Sequence, residues 1–139
     1  MATFNKFECF VGDLGDKVND LQATGDTLKV YLTNNAPSAS ADSVKADLAG
    51  ITEQNGYAPA DIQQDWSEAS GTGTLTGVDY EWTASGGSFG PLRYAVLYND
   101  TPTSPADPLI AWWDYGSSIT VNEGEKFKVD FGASILTVA

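Results

Sequence analysis

A chain of 139 residues can bury one substantial core, and at 42% hydrophobic and 12% aromatic it is too apolar for a disordered segment. Nineteen acids against seven bases give a formal charge of −12, which repels phosphate backbones and anionic lipid, so neither nucleic acid nor membrane is expected as a partner. With no histidine and one cysteine, Ser-His-Asp and Cys-His nucleophile systems, structural zinc and an intrachain disulfide are all excluded.

The opening "MATFNKFECFVGDLGDK" has no basic leader ahead of a long apolar run, so no secretory signal is expected. No stretch approaches the ~20 apolar residues of a membrane-spanning helix. The expected setting is a cytoplasm, or a larger particle assembled there. Residues 3–11 are predicted as a strand, with Cys9 in "FECFV" a small hydrophobe of the strand core rather than a reactive thiol. Residues 13–21 and 42–49 each begin with an Asp suited to capping and are predicted as short helices. Between them, "TLKVYLT" alternates, with Leu28, Val30 and Leu32 on one face and Lys29 and Tyr31 on the other. "TNNAPSASAD", 33–42, is small and polar and reads as a flexible surface connection.

A strand is predicted over 62–68. "VDYEWT" then places Val78, Tyr80 and Trp82 on one face, opposite Asp79, Glu81 and Thr83. Leu75 is out of phase with Val78, and Gly77 between them marks a bulge or bend. Residues 92–99 and 109–115 are apolar on both faces, as in central strands covered on both sides or strands that meet a neighbouring subunit. The three prolines of "NDTPTSPADP", 99–108, predict a protruding, semi-rigid hairpin loop between those strands. "KFKVDF" alternates Phe127, Val129 and Phe131 with Lys126, Lys128 and Asp130, and 134–138 is the last predicted strand. The fold class is mainly β: a single antiparallel β-sandwich or jelly-roll-like domain over residues 1–139, with one or two short helices.

Little in this pattern carries chemistry. "SGTGTLTG" has glycines but lacks the lysine and following helix of a phosphate-binding loop. Asp114, with Glu81 or Asp79 near Trp82, would be the pair for glycoside hydrolysis, but these acids fall at polar phases or ends of strands, where acids are ordinarily solvated. Asp13, Asp16, Asn19 and Asp20 are hard oxygen ligands, yet their spacing does not match a calcium loop and reads as a charged helix start or turn. No catalytic residue, cofactor or metal is therefore expected. Arg93, the sole arginine, stands beside Tyr94 in an apolar strand and requires an acid, a carbonyl cluster or an aromatic face, within the chain or on a neighbouring subunit. Trp112 and Trp113 point to opposite faces of a strand, so one fills a core and the other needs a second sheet, a loop or a partner. Packing is expected for both; an exposed one beside Asp114 and Tyr115 could instead stack on a sugar ring.

Two stretches, "TLKVYLTNNAPSASADSVKADLAGITEQNGY" and "FGPLRYAVLYNDTPTSPADPLIAWWDYGSSITVNEGEKFKVDF", resemble a family of small virion structural proteins of tailed bacteriophages. The resemblance implies a capsid decoration (cement) protein, made in the host cytoplasm, that binds the outer surface of the head through the major capsid protein and through itself as a homotrimer. It carries no catalytic residue. Arg93, Tyr94, Trp112, Trp113, Tyr115, Pro102, Pro105, Asn34 and Asn35 are the candidate subunit or capsid contacts. The alternatives are a fibre, tail or head-to-tail component, and a carbohydrate-binding module using Trp113 or Trp112.

Overall fold

The computed structural model describes residues 3–139; it is mainly β, built from antiparallel sheets in a sandwich-like arrangement. The elements are β1 (Phe4–Lys6), α1 (Cys9–Gly15), β2 (Leu28–Thr33), β3 (Ala60–Asp61), β4 (Asp65–Ala69), β5 (Thr72–Thr76), β6 (Tyr80–Thr83), β7 (Phe89–Asn99), β8 (Leu109–Val121), β9 (Lys126–Val129) and β10 (Leu136–Val138). A short 3-10 helix, Lys45–Asp47, lies between β2 and β3. The main sheet has the order β1-β8-β7-β2-β3, and two smaller sheets have the orders β10-β5-β4 and β6-β9.

The two strands predicted to be covered on both faces, β7 and β8, lie inside the main sheet. One core fills the space between that sheet and the smaller ones and includes Leu28, Val30, Leu32, Leu97, Trp82 and Phe127. The opposite face carries a second cluster of Phe7, Tyr31, Leu48, Val96, Tyr98 and Leu109. Tyr31, predicted on the same face of β2 as Lys29 and so expected to be solvated, is 0% exposed. The reason is non-local: the segment after β2 and the loop between β7 and β8 are stitched together over this face. Lys45 N–H donates to Asp107 O at 2.9 Å, Leu109 N–H donates to Ser43 O at 3.0 Å, and Val44 bridges Pro108. The Tyr31 hydroxyl donates to Leu48 O at 2.7 Å, and Lys45 Nζ lies 5.2 Å from the Tyr31 and Tyr98 ring centres.

The segment 33–42, predicted as a flexible connection, is fastened at several points. Thr33 Oγ1 donates to Ala49 O at 2.6 Å, Ser38 N–H donates to the Asp42 carboxylate at 2.8 Å, and Glu8 N–H donates to Ala39 O at 3.0 Å.

Other boundaries differ from expectation. The strand predicted over 3–11 ends at Lys6, and Cys9 opens α1 instead of filling a strand core. The helix predicted over 13–21 is displaced to Cys9–Gly15, because Phe10 and Leu14, four residues apart, share the face that packs on the core. The helix over 42–49 shrinks to one 3-10 turn, whose start is capped by Asp47 accepting the Ser43 and Val44 N–H groups rather than by Asp42. The strand over 62–68 is broken: Gln64 turns inward to accept the Leu28 N–H at 3.2 Å, and β4 begins at Asp65 in another sheet. Gly77 does mark a bend, where the chain leaves β5 in one sheet for β6 in the next. Val78 sits in that crossing and is 55% exposed, not on the dry face with Trp82.

Candidate functional site

The registers of β7 and β8 explain how the predicted contact residues are displayed. Tyr94 pairs with Asp114, but Leu92 pairs with Ile119, so a single residue of β7, Arg93, spans the width of Tyr115–Ser118 on β8. The surplus residues are pushed outward as a bulge, and Gly116 adopts a φ of 103°, a conformation that favours glycine. Arg93 braces the foot of the bulge: its Nε and Nη2 donate to the Asp114 carboxylate at 2.9 and 3.1 Å, and its guanidinium lies 5.4 Å from the Tyr94 ring centre. Asp114 Oδ1 also accepts the Gly116 N–H at 2.8 Å, which turns the chain. The Arg93 hydrogen bonds hold the Asp114 carboxyl below the usual carboxylate range, and Asp114 in turn pushes the Arg93 pKa up. The sole arginine thus finds both an acid and an aromatic face within its own chain.

Trp112 and Trp113 do point to opposite faces. Trp112 packs on Phe7 at 4.6 Å beside the second cluster, and Trp113 meets Phe131 at 5.5 Å and Phe4 at 5.9 Å beside the main core. Both are only partly buried. Trp113 also borders an open groove of about 220 Å³ between β8 and β9, with Tyr115, Phe127, Lys128 and Asp130. Tyr115, carried on the bulge, is 56% exposed and lies 5.6 Å from Phe127.

The remaining predicted contacts fall into two groups. Thr33 pairs with Tyr94, which sets the exposed Asn34 and Asn35 at the Arg93 end of the sheet. Leu28 pairs with Asn99, which sets the half-buried Pro102 and exposed Pro105 at the far end, roughly 17 Å of strand away.

A second groove, about 270 Å³, was not legible in the sequence. It lies between β1, α1 and β10 and is bordered by Phe4, Phe10, Val11, Leu136 and Val138, with Lys6 its only charged residue among those described. Val11 is 58% and Val138 41% exposed. β1 and β10 are the outer strands of their sheets among the described residues, and both contribute residues to this groove. The Phe10–Leu14 spacing was the available signal for the helix that forms one wall; nothing local marks which strands stay unpaired.

The acids considered for hydrolysis are each engaged. Asp114 binds Arg93, Glu81 lies 3.6 Å from Lys126, and Asp79 lies 3.8 Å from Lys128 while accepting the Phe131 N–H at 2.9 Å. Among the described residues no three His, Cys, Asp or Glu side chains are placed to hold a metal ion, and Asp13–Asp20 are split between α1 and the turn after it. Among the described residues no helix is long and apolar enough to cross a membrane. No family model matches the chain, and neither a curated protein nor a solved structure matches it significantly.

Proposed function

We propose that this protein is a structural component of a tailed-bacteriophage virion: a capsid decoration protein that binds the outer surface of the head, contacts the major capsid protein and further copies of itself as a trimer, and stabilises the shell by binding rather than by catalysis. The observation that carries this reading is the groove between β1, α1 and β10. Its walls are apolar, two outer strands contribute to it, and its only charged residue among those described is basic, on a chain whose net charge is −12. A partner that adds a strand to such an outer strand gains main-chain hydrogen bonds and covers exposed valines. Strong negative charge elsewhere keeps the free protein soluble until a shell is present. The stitched loops 34–50 and 99–108, pinned by Tyr31 and Lys45, supply a preorganised surface, which lowers the ordering cost of each contact, and linked copies add avidity.

Purified heads with and without the protein test the proposal. Heads lacking it rupture under milder heat or osmotic shock, and added protein restores them. The free protein runs as a trimer of its 14.7 kDa chain. Val11→Lys with Val138→Lys, both at exposed positions, leaves the fold intact and abolishes binding to heads. Heads of unchanged robustness without the protein would refute cementing.

A further inference from the structure

The groove between β8 and β9 differs in chemistry from the one assigned to head binding. It combines aromatic faces with one donor and one acceptor. Among the residues that border it, Phe127 is buried, Trp113 is half-buried and Tyr115, on the bulge, is exposed. Lys128 and Asp130 also border the groove, and the Lys128 ammonium lies 3.8 Å from Asp79. The Asp130 carboxylate accepts only the Gly132 N–H, through Oδ1 at 2.8 Å, and retains acceptor capacity. At about 220 Å³ the groove is smaller than the roughly 300–1,000 Å³ pockets that enclose drug-sized ligands.

We propose that this groove binds a single neutral pyranose ring, as a terminal or internal residue of a glycan. A pyranose presents an apolar C–H face, which suits Tyr115 and Trp113, and a rim of hydroxyls that both donate and accept, which suits Asp130 and Lys128. The net charge of −12 disfavours anionic sugars. Arg93 is a positioning residue: through Asp114 and the Gly116 N–H it fixes the bulge that presents Tyr115, without itself bordering the groove. The site is independent of the head-binding groove, so failure of either proposal leaves the other standing.

The test uses the isolated full-length protein, titrated by NMR and calorimetry with tetrasaccharides of β-1,4-linked glucose, α-1,4-linked glucose and β-1,4-linked N-acetylglucosamine, and with glucuronic acid as the anionic comparison. The expected result is saturable binding of at least one neutral sugar, of about millimolar affinity, with shifts at the Trp113 indole and the Phe127 ring. Tyr115→Ala weakens it about five- to tenfold, the loss of one stacking face. Arg93→Gln weakens it by a smaller factor and broadens the Tyr115 resonances, whereas Val78→Thr changes nothing. Absence of saturable binding to every neutral sugar, preference for glucuronic acid, or binding unchanged by Tyr115→Ala overturns the assignment.

Discussion

Replacing Tyr31 tests whether the main sheet is sealed on both faces. The phenol is 0% exposed, its hydroxyl donates to Leu48 O at 2.7 Å, and its ring meets Tyr98 edge-on at 5.4 Å. Tyr31→Phe removes the donor and strands the carbonyl of Leu48, a residue only 3% exposed, which costs about 1–3 kcal/mol. Tyr31→Ala also opens a cavity, and by analogy with other large aromatic truncations costs about 3–5 kcal/mol, much of a typical domain's stability. For 139 residues the unfolding entropy is about 0.3 kcal/mol/K, so the Phe variant lowers Tm by roughly 3–10 °C. Urea unfolding followed by tryptophan fluorescence gives the free energy directly, with an unchanged m value showing that the same surface unfolds. Lys29→Ala is the contrast on the same strand: it removes only a partly exposed 3.0 Å ion pair with Asp100, worth at most about 1 kcal/mol. A Tyr31→Phe variant within about 0.5 kcal/mol of wild type, together with a tolerated Tyr31→Lys, would mean that this face is wet and the covering loops are not docked.

Alkaline pH destabilises the fold through its buried phenols. Burial pushes Tyr57 up to about 12 and raises Tyr31 and Tyr98 as well, so above about pH 10 the unfolded chain loses protons that the folded chain keeps. Stability is full below about pH 10 and falls by about 1.4 kcal/mol per pH unit for each of the three; urea midpoints between about pH 9 and pH 11 check this, and a flat profile contradicts it. Cys9 reacts slowly: burial, then the nearby Asp13 carboxylate, pushes its thiol up to about 11, so alkylation at about pH 8 runs on the order of 100-fold slower than for a free thiol. Asp114 titrates below an ordinary aspartate when followed by NMR, and Arg93→Gln moves its midpoint back up. The stabilisation from this pair is present above the unfolded carboxylate pKa and is lost as pH falls through the lower folded value.

Local alternation was a sound guide in β9, and two-sided apolarity was one in β7 and β8. Phe127, Val129 and Phe131 are buried between exposed Lys126, Lys128 and Asp130, and the two-sided apolar runs of β7 and β8 are interior strands. It misled where burial is decided by distant segments. Tyr31 reads as wet because lysine precedes it, yet Leu48 and the loop before Leu109 cover it. Val78 keeps phase with Trp82 but falls in the crossing after Gly77, where its N–H donates to Ile62 O. Of the candidate contacts, the need of Arg93 for a partner was legible from its being the only arginine. That Asp114 supplies it follows from the β7–β8 register, and that Tyr115 projects follows from the surplus residues of the bulge. The edge groove was invisible because which strands remain unpaired is a property of sheet order, not of any short window.

Electron cryomicroscopy of intact phage heads, at a resolution where the long β7–β8 hairpin can be traced, tests the proposed role most directly. Repeated threefold clusters of this chain on the outer surface, with the β1–β10 edge turned to the shell or to a neighbouring copy, are the expected result. Bare heads, in particles whose protein inventory lacks the chain, would contradict it.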